Sequence, residues 1–240
     1  MRIALVLATL VATASSADAQ SWSYEDDTGP DVWSTLSDAY SACGTGQQQS
    51  PVDLTSPVEA EVPEAAIDWK ADEWRIVNNG HTIELEADDA GGIVIGARSY
   101  ALQQFHFHHP SEHAIDGDRF LMEAHFVHAD ETGALAVVAA MISPGAKNET
   151  FTRIMENAPV SPDEADIGTL DPAALLPSES RFFRYRGSLT TPPCSETVVW
   201  TVLAEPIKVT AADIQTFKKI FPMNARPLHP LNRRFVLAGQ

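Results

Sequence analysis

Six of the eight histidines in this 240-residue chain fall between positions 106 and 128, and that clustering is its main chemical signal. In Gln104-Phe105-His106-Phe107-His108 the residue types alternate, as they do along a β-strand, where successive side chains point to opposite faces. Gln104, His106 and His108 then share one face, and Phe105 and Phe107 point the other way into apolar packing. In Met122-Glu123-Ala124-His125-Phe126-Val127-His128, Glu123, His125 and Val127 share a face, and Ala124, Phe126 and His128 share the other. If the two segments pair antiparallel, the imidazoles of His106, His108 and His125 meet at one point with Glu123 beside them. Three neutral imidazoles and an open fourth position suit a zinc ion that turns water into a nucleophile, because neutral ligands leave the ion's double charge undiminished.

Partners for the outer ring nitrogens are at hand. Gln104 can accept the free N–H of His106 through its side-chain oxygen. Glu123 can accept from a ligand imidazole, across strands or along one, and such contacts fix ring orientation and tautomer. A competing ligand set, His106, His108 and Glu123 with His125 behind them, uses the same residues. His109 precedes Pro110 in a turn, His128 lies on the wrong face, and His113 is expected to bond Glu123 or the backbone. These three are read as non-ligands.

The elements that must position this cluster are mainly strands. Trp74–Asn78, Thr82–Ala87, Gly92–Gly96, Tyr100–His108, Phe120–Ala129, Ala134–Ser143, Arg181–Tyr185 and Thr197–Pro206 carry β-branched or aromatic residues between turn signals such as Asn79-Gly80 and Asp88–Gly92. Helices are expected over Glu149–Glu156 and over Ala211–Ile220, the latter entered through Thr210 and Asp213 in a capping-box-like arrangement. Residues 20–70 read as irregular, with aromatic anchors at Trp22, Tyr24 and Trp33. The expected fold is β-dominated α+β, a single domain with a large central, mostly antiparallel sheet and a few short peripheral helices.

Composition narrows the setting. Arg2, the apolar run Ile3–Ala14 and Ala17-Asp18-Ala19 have the form of a secretory leader, so residues 1–19 read as a signal and residues 20–240 as one mature domain. That run is too short to span a bilayer, and no other segment is apolar enough. The chain is therefore expected to be exported, periplasmic or secreted, without membrane insertion. In an oxidising compartment the two cysteines, Cys43 and Cys194, form one disulfide across a long loop, which the chain-entropy picture values at up to roughly 5 kcal/mol. A formal charge of −17 argues against nucleic acid as a partner.

Taken together, these segments resemble the α-class carbonic anhydrases of exported bacterial type, over about residues 22–234. The resemblance is carried by Trp22-Ser-Tyr24, Gly29-Pro30, Gln49-Ser50-Pro51, Asn78-Asn79-Gly80-His81, the two histidine strands, Pro110-Ser-Glu112-His113 and Tyr185-Arg-Gly-Ser-Leu-Thr-Thr-Pro-Pro193. Cys43 and Cys194 stand where such members carry their disulfide. The resemblance implies zinc in a conical cleft, carbon dioxide and bicarbonate as substrate and product, and hydration by water activated on the ion. It implies that Glu112 accepts a hydrogen bond from Thr190, whose hydroxyl orients the nucleophile, and that Thr191 contacts bicarbonate. Val127, Val137, Leu189, Val198 and Trp200 would line the carbon dioxide pocket. His81 would carry the proton out, through water organised by Tyr24, Asn79 and Gln104. Glu84 and Gln103 stand on the cleft wall where the family varies. A monomer or homodimer is expected. A non-catalytic zinc-binding or interaction module on the same fold is the alternative, and esterase action at the same centre would be a side activity.

Overall fold

The computed structural model describes residues 21–178 and 181–239. The expected leader, 1–19, and the expected mature start at Gln20 lie outside the described residues. Among those described, the strands are β1 (Val58–Glu59), β2 (Ala65–Trp69), β3 (Asp72–Asn78), β4 (Ile83–Glu86), β5 (Gly91–Ile95), β6 (Arg98–His108) and β7 (Ala114–Ile115). They continue with β8 (Asp118–Arg119), β9 (Met122–Ala129), β10 (Leu135–Pro144), β11 (Asp163–Leu170), β12 (Phe182–Gly187), β13 (Val198–Val209) and β14 (Leu237–Gly239). Twelve of them form one sheet in the order β1-β14-β12-β13-β10-β9-β6-β4-β3-β11, with β5 pairing β6 and β2 pairing β5; β7 and β8 form a separate hairpin.

The sheet is mostly antiparallel, as the patterning implied. The parallel pairs are β10 with β13, at its centre, and β1 with β14 at one edge. β10 and β13 are Val- and Ala-rich and buried along most of their length, as expected of strands covered on both faces. Each strand read from the sequence is present to within a few residues. β11 was not expected. Its sequence, Asp-Glu-Ala-Asp-Ile-Gly-Thr-Leu, is too acidic to look like a strand. It forms because β3 offers an open edge, and its irregularity between Asp166 and Gly168 is met by Gly168 at φ +74°. β2 lies inside the stretch read as irregular, and β1, β7, β8 and β14 are too short to leave a pattern.

Both expected helices form, Glu149–Asn157 and Ala211–Ile220. Thr210 caps the second by accepting from Asp213 N–H, and it donates its hydroxyl to Asp213 Oδ2. Both pack behind the sheet. There Phe151, Ile154, Ile214 and Phe217 join Phe105, Phe107 and Phe126 in the larger core. The other face carries a second cluster around Val137, Ala139, Tyr185, Val198 and Trp200. A third, Trp33, Tyr40 and the disulfide cysteines, ties the N-proximal segment down.

The register of β6 on β9 decides where the histidines go. His106 stands opposite His125, and His108 opposite Glu123. The ladder slips between Leu102 and Gln104. That extra residue changes the phase of β6: Tyr100 and Leu102, then Phe105 and Phe107, all reach the core behind the sheet, while Gln104, His106 and His108 face forward. Burying Phe105, Phe107 and Phe126 contributes about 2 kcal/mol each, so a one-residue slip that exposed them would cost several kcal/mol.

Candidate metal centre

Each of the three histidines has one ring nitrogen already committed. His106 Nδ1 lies 2.8 Å from Gln104 Oε1, His108 Nδ1 2.7 Å from the Asn224 carbonyl, and His125 Nε2 2.9 Å from Glu123 Oε1. All three partners are acceptors, so each of those nitrogens carries the proton. The inward nitrogens, His106 Nε2, His108 Nε2 and His125 Nδ1, therefore present lone pairs. Ligand atoms of these three residues lie within 4.8 Å of one another. Burial, with each ring's histidine neighbours, keeps the His106 imidazole well below its ordinary pKa, and burial likewise lowers His108. Both of these rings are held neutral, as metal ligands must be.

The competing set fails on the hydrogen bonds of Glu123. Its Oε2 accepts the backbone N–H groups of Glu112 and His113, both at 2.8 Å, and its Oε1 accepts from His113 Nδ1 at 2.7 Å as well as from His125. Burial would raise this carboxyl, but His113 and His125 with their hydrogen bonds hold it well below the usual carboxylate range. It is a fully engaged anion that orients His125 along its own strand. The network runs on: His113 Nε2 accepts from Tyr185 Oη at 2.6 Å, and Tyr185 meets Ser50 Oγ at 2.8 Å. His109 and His128 are turned away, onto the Pro222 carbonyl and onto Trp69 and the Ala136 carbonyl respectively.

Two buried polar atoms at the centre have no hydrogen-bond partner, His108 Nε2 and Glu112 Oε2, and they face each other at 3.6 Å. Glu112 Oε2 also lies 3.9 Å from His125 Nδ1. Leaving such groups unsatisfied costs free energy. The donor set, three imidazole nitrogens with their outer protons anchored, fits a cation of the zinc type. Glu112 Oε1 accepts from Arg226 N–H at 2.8 Å. The expected bond from the Thr190 hydroxyl to Glu112 is not made here: Arg226 occupies one oxygen and the other has no donor. Thr190 is buried, and Thr191, half-buried, accepts Cys194 N–H at its carbonyl.

The expected pocket residues do assemble. Val137, Val198 and Trp200 belong to one cluster, against which Val127 and Leu189 pack. Trp200 meets the rings of His125 and His113 edge-on, at 4.9 and 4.8 Å between centroids. His81 stacks on Trp22 at 3.8 Å with the rings nearly parallel, and burial lowers its pKa. Asn79 Oδ1 holds the turn by accepting from His81 and Thr82 N–H. Tyr24 packs against Trp22 and Trp33; burial and, next, the charge of Glu112 raise its phenol well above the ordinary value. Glu84, on β4, stands opposite His106 on β6, and burial with the neighbouring Glu86 lifts its pKa to about 7.

Residues without a sequence signal complete the centre. Asn224 gives its carbonyl to His108, accepts His109 N–H at Oδ1 and donates through Nδ2 to the carbonyls of His81 and Phe107. Arg226 donates through its guanidinium to Gln49 Oε1 and to the carbonyls of Ser50 and Cys43. The Cys43–Cys194 disulfide is formed, spanning 151 residues.

The chain matches the model of the eukaryotic-type carbonic anhydrase family over residues 28–240. It is 38% identical to a carbonic anhydrase of Pectobacterium atrosepticum over 98% of its own length and 97% of that protein's. Among solved structures it resembles the α-carbonic anhydrase of Thermovibrio ammonificans, determined with sulfanilamide, at TM-score 0.89 and 37% identity, covering 91% of this chain and 99% of that one. It also resembles a hyperthermostable carbonic anhydrase identified from an active hydrothermal vent chimney, at TM-score 0.89 and 40% identity, covering 92% and 100%.

Proposed function

This chain belongs to the eukaryotic-type carbonic anhydrase family, and we propose that it hydrates carbon dioxide reversibly at a zinc ion held by His106, His108 and His125, with His81 carrying the proton away. The observation that supports this most directly is the commitment of all three outer ring nitrogens to acceptors, which leaves three lone pairs converging. When bound, zinc supplies a Lewis acid that brings the pKa of water down to about 7, a figure general to carbonic anhydrases and not specific to this chain.

The chain's own residues do the rest. Gln104, Glu123 and Asn224 hold the ligand rings in one tautomer and one orientation. Glu112, fixed by Arg226, keeps Oε2 free for a donor. We assign that donor to the Thr190 hydroxyl, whose lone pairs then accept the proton of the attacking water and aim its free electron pair at the substrate carbon. Val127, Val137, Leu189, Val198 and Trp200 offer an uncharged, weakly holding wall to carbon dioxide, and Thr191 contacts the bicarbonate formed. The released proton passes along water ordered near Tyr24, Asn79 and Gln104 to His81, whose imidazole suits transfer near neutral pH. The leader-like residues 1–19 and the Cys43–Cys194 bond support export to the periplasm or beyond.

Stopped-flow carbon dioxide hydration on purified residues 20–240 tests the reading. Fast hydration that vanishes when a chelator strips the metal and returns with zinc is the expected result. A folded, zinc-loaded sample without hydration activity would overturn it.

A further inference from the structure

The chain's formal charge is −17, yet five of its sixteen lysines and arginines meet at one place. Arg98, Arg184, Arg186, Arg233 and Arg234 line an open cavity of about 620 Å³, and no aspartate or glutamate lines it. None of the histidines lines it; Arg184, Tyr100 and Val199 come to it from the face behind the sheet, and Tyr185 and Leu135 from the other. Arg184 is paired with Thr201 across β12 and β13, so its side chain shares the face of Phe182, which joins the core behind the sheet. Tyr185 and Trp200, one position out of phase, belong to the cluster on the histidine face.

Arg184 is the unusual member. It is only 7% exposed, and its Nε and Nη2 are buried without a hydrogen-bond partner. Its guanidinium lies over the Phe182 ring, with Cζ 4.9 Å from the centroid, and feels the Tyr100 phenol. Burial draws its pKa down to about 10, so it is still a cation at neutral pH. A buried charge with unmet donors costs free energy, and the lining supplies no carboxylate to offset it. Arg234 brings charge but few spare donors, since four of its five guanidinium N–H groups already donate to backbone carbonyls. Arg98, Arg186 and Arg233 are exposed at the rim. The acids nearest in influence are Asp130, beside Arg98, and Glu196, toward Arg234; neither lines the cavity. The rest of the lining includes Tyr100, Leu135, Val199 and the exposed Phe235.

We propose that this cavity binds an organic oxyanion, its carboxylate or phosphate head among the guanidinium groups of Arg184, Arg186 and Arg233 and its apolar body against Tyr100, Leu135 and Val199. Guanidinium forks match such heads by paired, charge-assisted hydrogen bonds. The volume falls within the range of about 300–1,000 Å³ usual for small-molecule sites and far exceeds what a bare inorganic ion fills. The site shares no lining residue with the three ligand histidines, although the Tyr185 ring in its wall reaches His113 through its hydroxyl.

Calorimetric titration of the zinc-loaded enzyme with phenyl phosphate, at fixed ionic strength, tests this. One saturable site per chain is expected. The rim variant Arg186→Gln/Arg233→Gln should weaken binding about tenfold or more, while hydration activity and melting temperature stay as in the parent. Arg184→Met should abolish binding and should melt no lower than the parent when ligand is absent, because it removes an unpaired buried charge. Binding that survives the rim substitutions would place the ligand elsewhere, the histidine site included, and overturn the proposal. So would inorganic phosphate binding as tightly as phenyl phosphate, or no saturable binding by about 10 mM.

Discussion

At the scale of single residues, the chemistry turns on which nitrogen of each imidazole is free. Gln104 gives His106 its only side-chain acceptor and is itself half-buried, so replacing it need not disturb the core. Gln104→Leu should leave the fold intact and raise the zinc dissociation constant by about 10–100-fold, measured by chelator competition; unchanged affinity would mean that the tautomer is set elsewhere. His81→Ala should lower turnover in dilute buffer and recover with small imidazole buffers; loss without rescue would remove His81 from the proton path. The places of Gln104 and Glu123 beside the ligand histidines were readable because alternation along two strands brings them to one face. Those of Asn224 and Arg226 were not. They act from a segment without regular structure, partly through backbone atoms, and a main-chain carbonyl that fixes His108 leaves no trace in residue type. The Thr190 to Glu112 bond, expected from family likeness, is not made in the structure, where Glu112 Oε2 has no donor.

At the scale of elements, the irregularity in β6 does the positioning. Alternation counted back from His108 predicts Leu102 on the histidine face, yet Leu102 lies in the core behind the sheet. The sequence shows Gln103-Gln104 there, two polar residues in a row, which is the trace of an extra residue that simple alternation passes over. Deleting Gln103 should force a choice between burying His106 and His108 and expelling Tyr100 and Leu102. The expected outcome is a lower denaturation midpoint together with lost zinc retention; a deletion variant that keeps both would show that register is fixed from the β9 side alone. The disulfide acts at the same scale. Gln49 Nε2 donates to the Cys194 carbonyl and Arg226 Nη2 to that of Cys43, so the bond joins the loop bearing Thr190 and Thr191 to the segment that holds Arg226. Cys43→Ser/Cys194→Ser should cost about 2–5 kcal/mol in urea unfolding.

Across the whole molecule, strand patterning carried the fold class, because seven of the sheet's eleven strand pairings join two runs that read as strands from their residues alone. Strand order was not readable, since nothing local tells β13 to lie parallel to β10 or β11 to close the edge beyond β3. The two-faced sheet has a further consequence in His128, three residues past His125 but on the opposite face. Its Nε2 accepts Trp69 Nε1–H at 2.9 Å, and its Nδ1 donates to the Ala136 carbonyl at 3.2 Å. Protonation would set two N–H donors against each other, and burial already lowers the pKa to about 4. An unfolded histidine takes up its proton near pH 6.5. The unfolded chain therefore binds one more proton than the folded chain between about pH 6.5 and 4. The stabilisation is complete above that window and drains away through it by about 1.4 kcal/mol per pH unit. Glu84 works in the opposite direction from about pH 4.5 to 7, because its folded pKa is raised and protonation favours the folded state. Urea unfolding of the parent and of His128→Gln across pH 4–7 separates the two. The variant's stability should fall less on acidification, by about one proton's worth of slope, whatever its absolute stability. Parallel pH profiles would mean that Trp69 and its hydrogen bond rearrange to accept the charge, and that the core behind the sheet is softer than its packing implies.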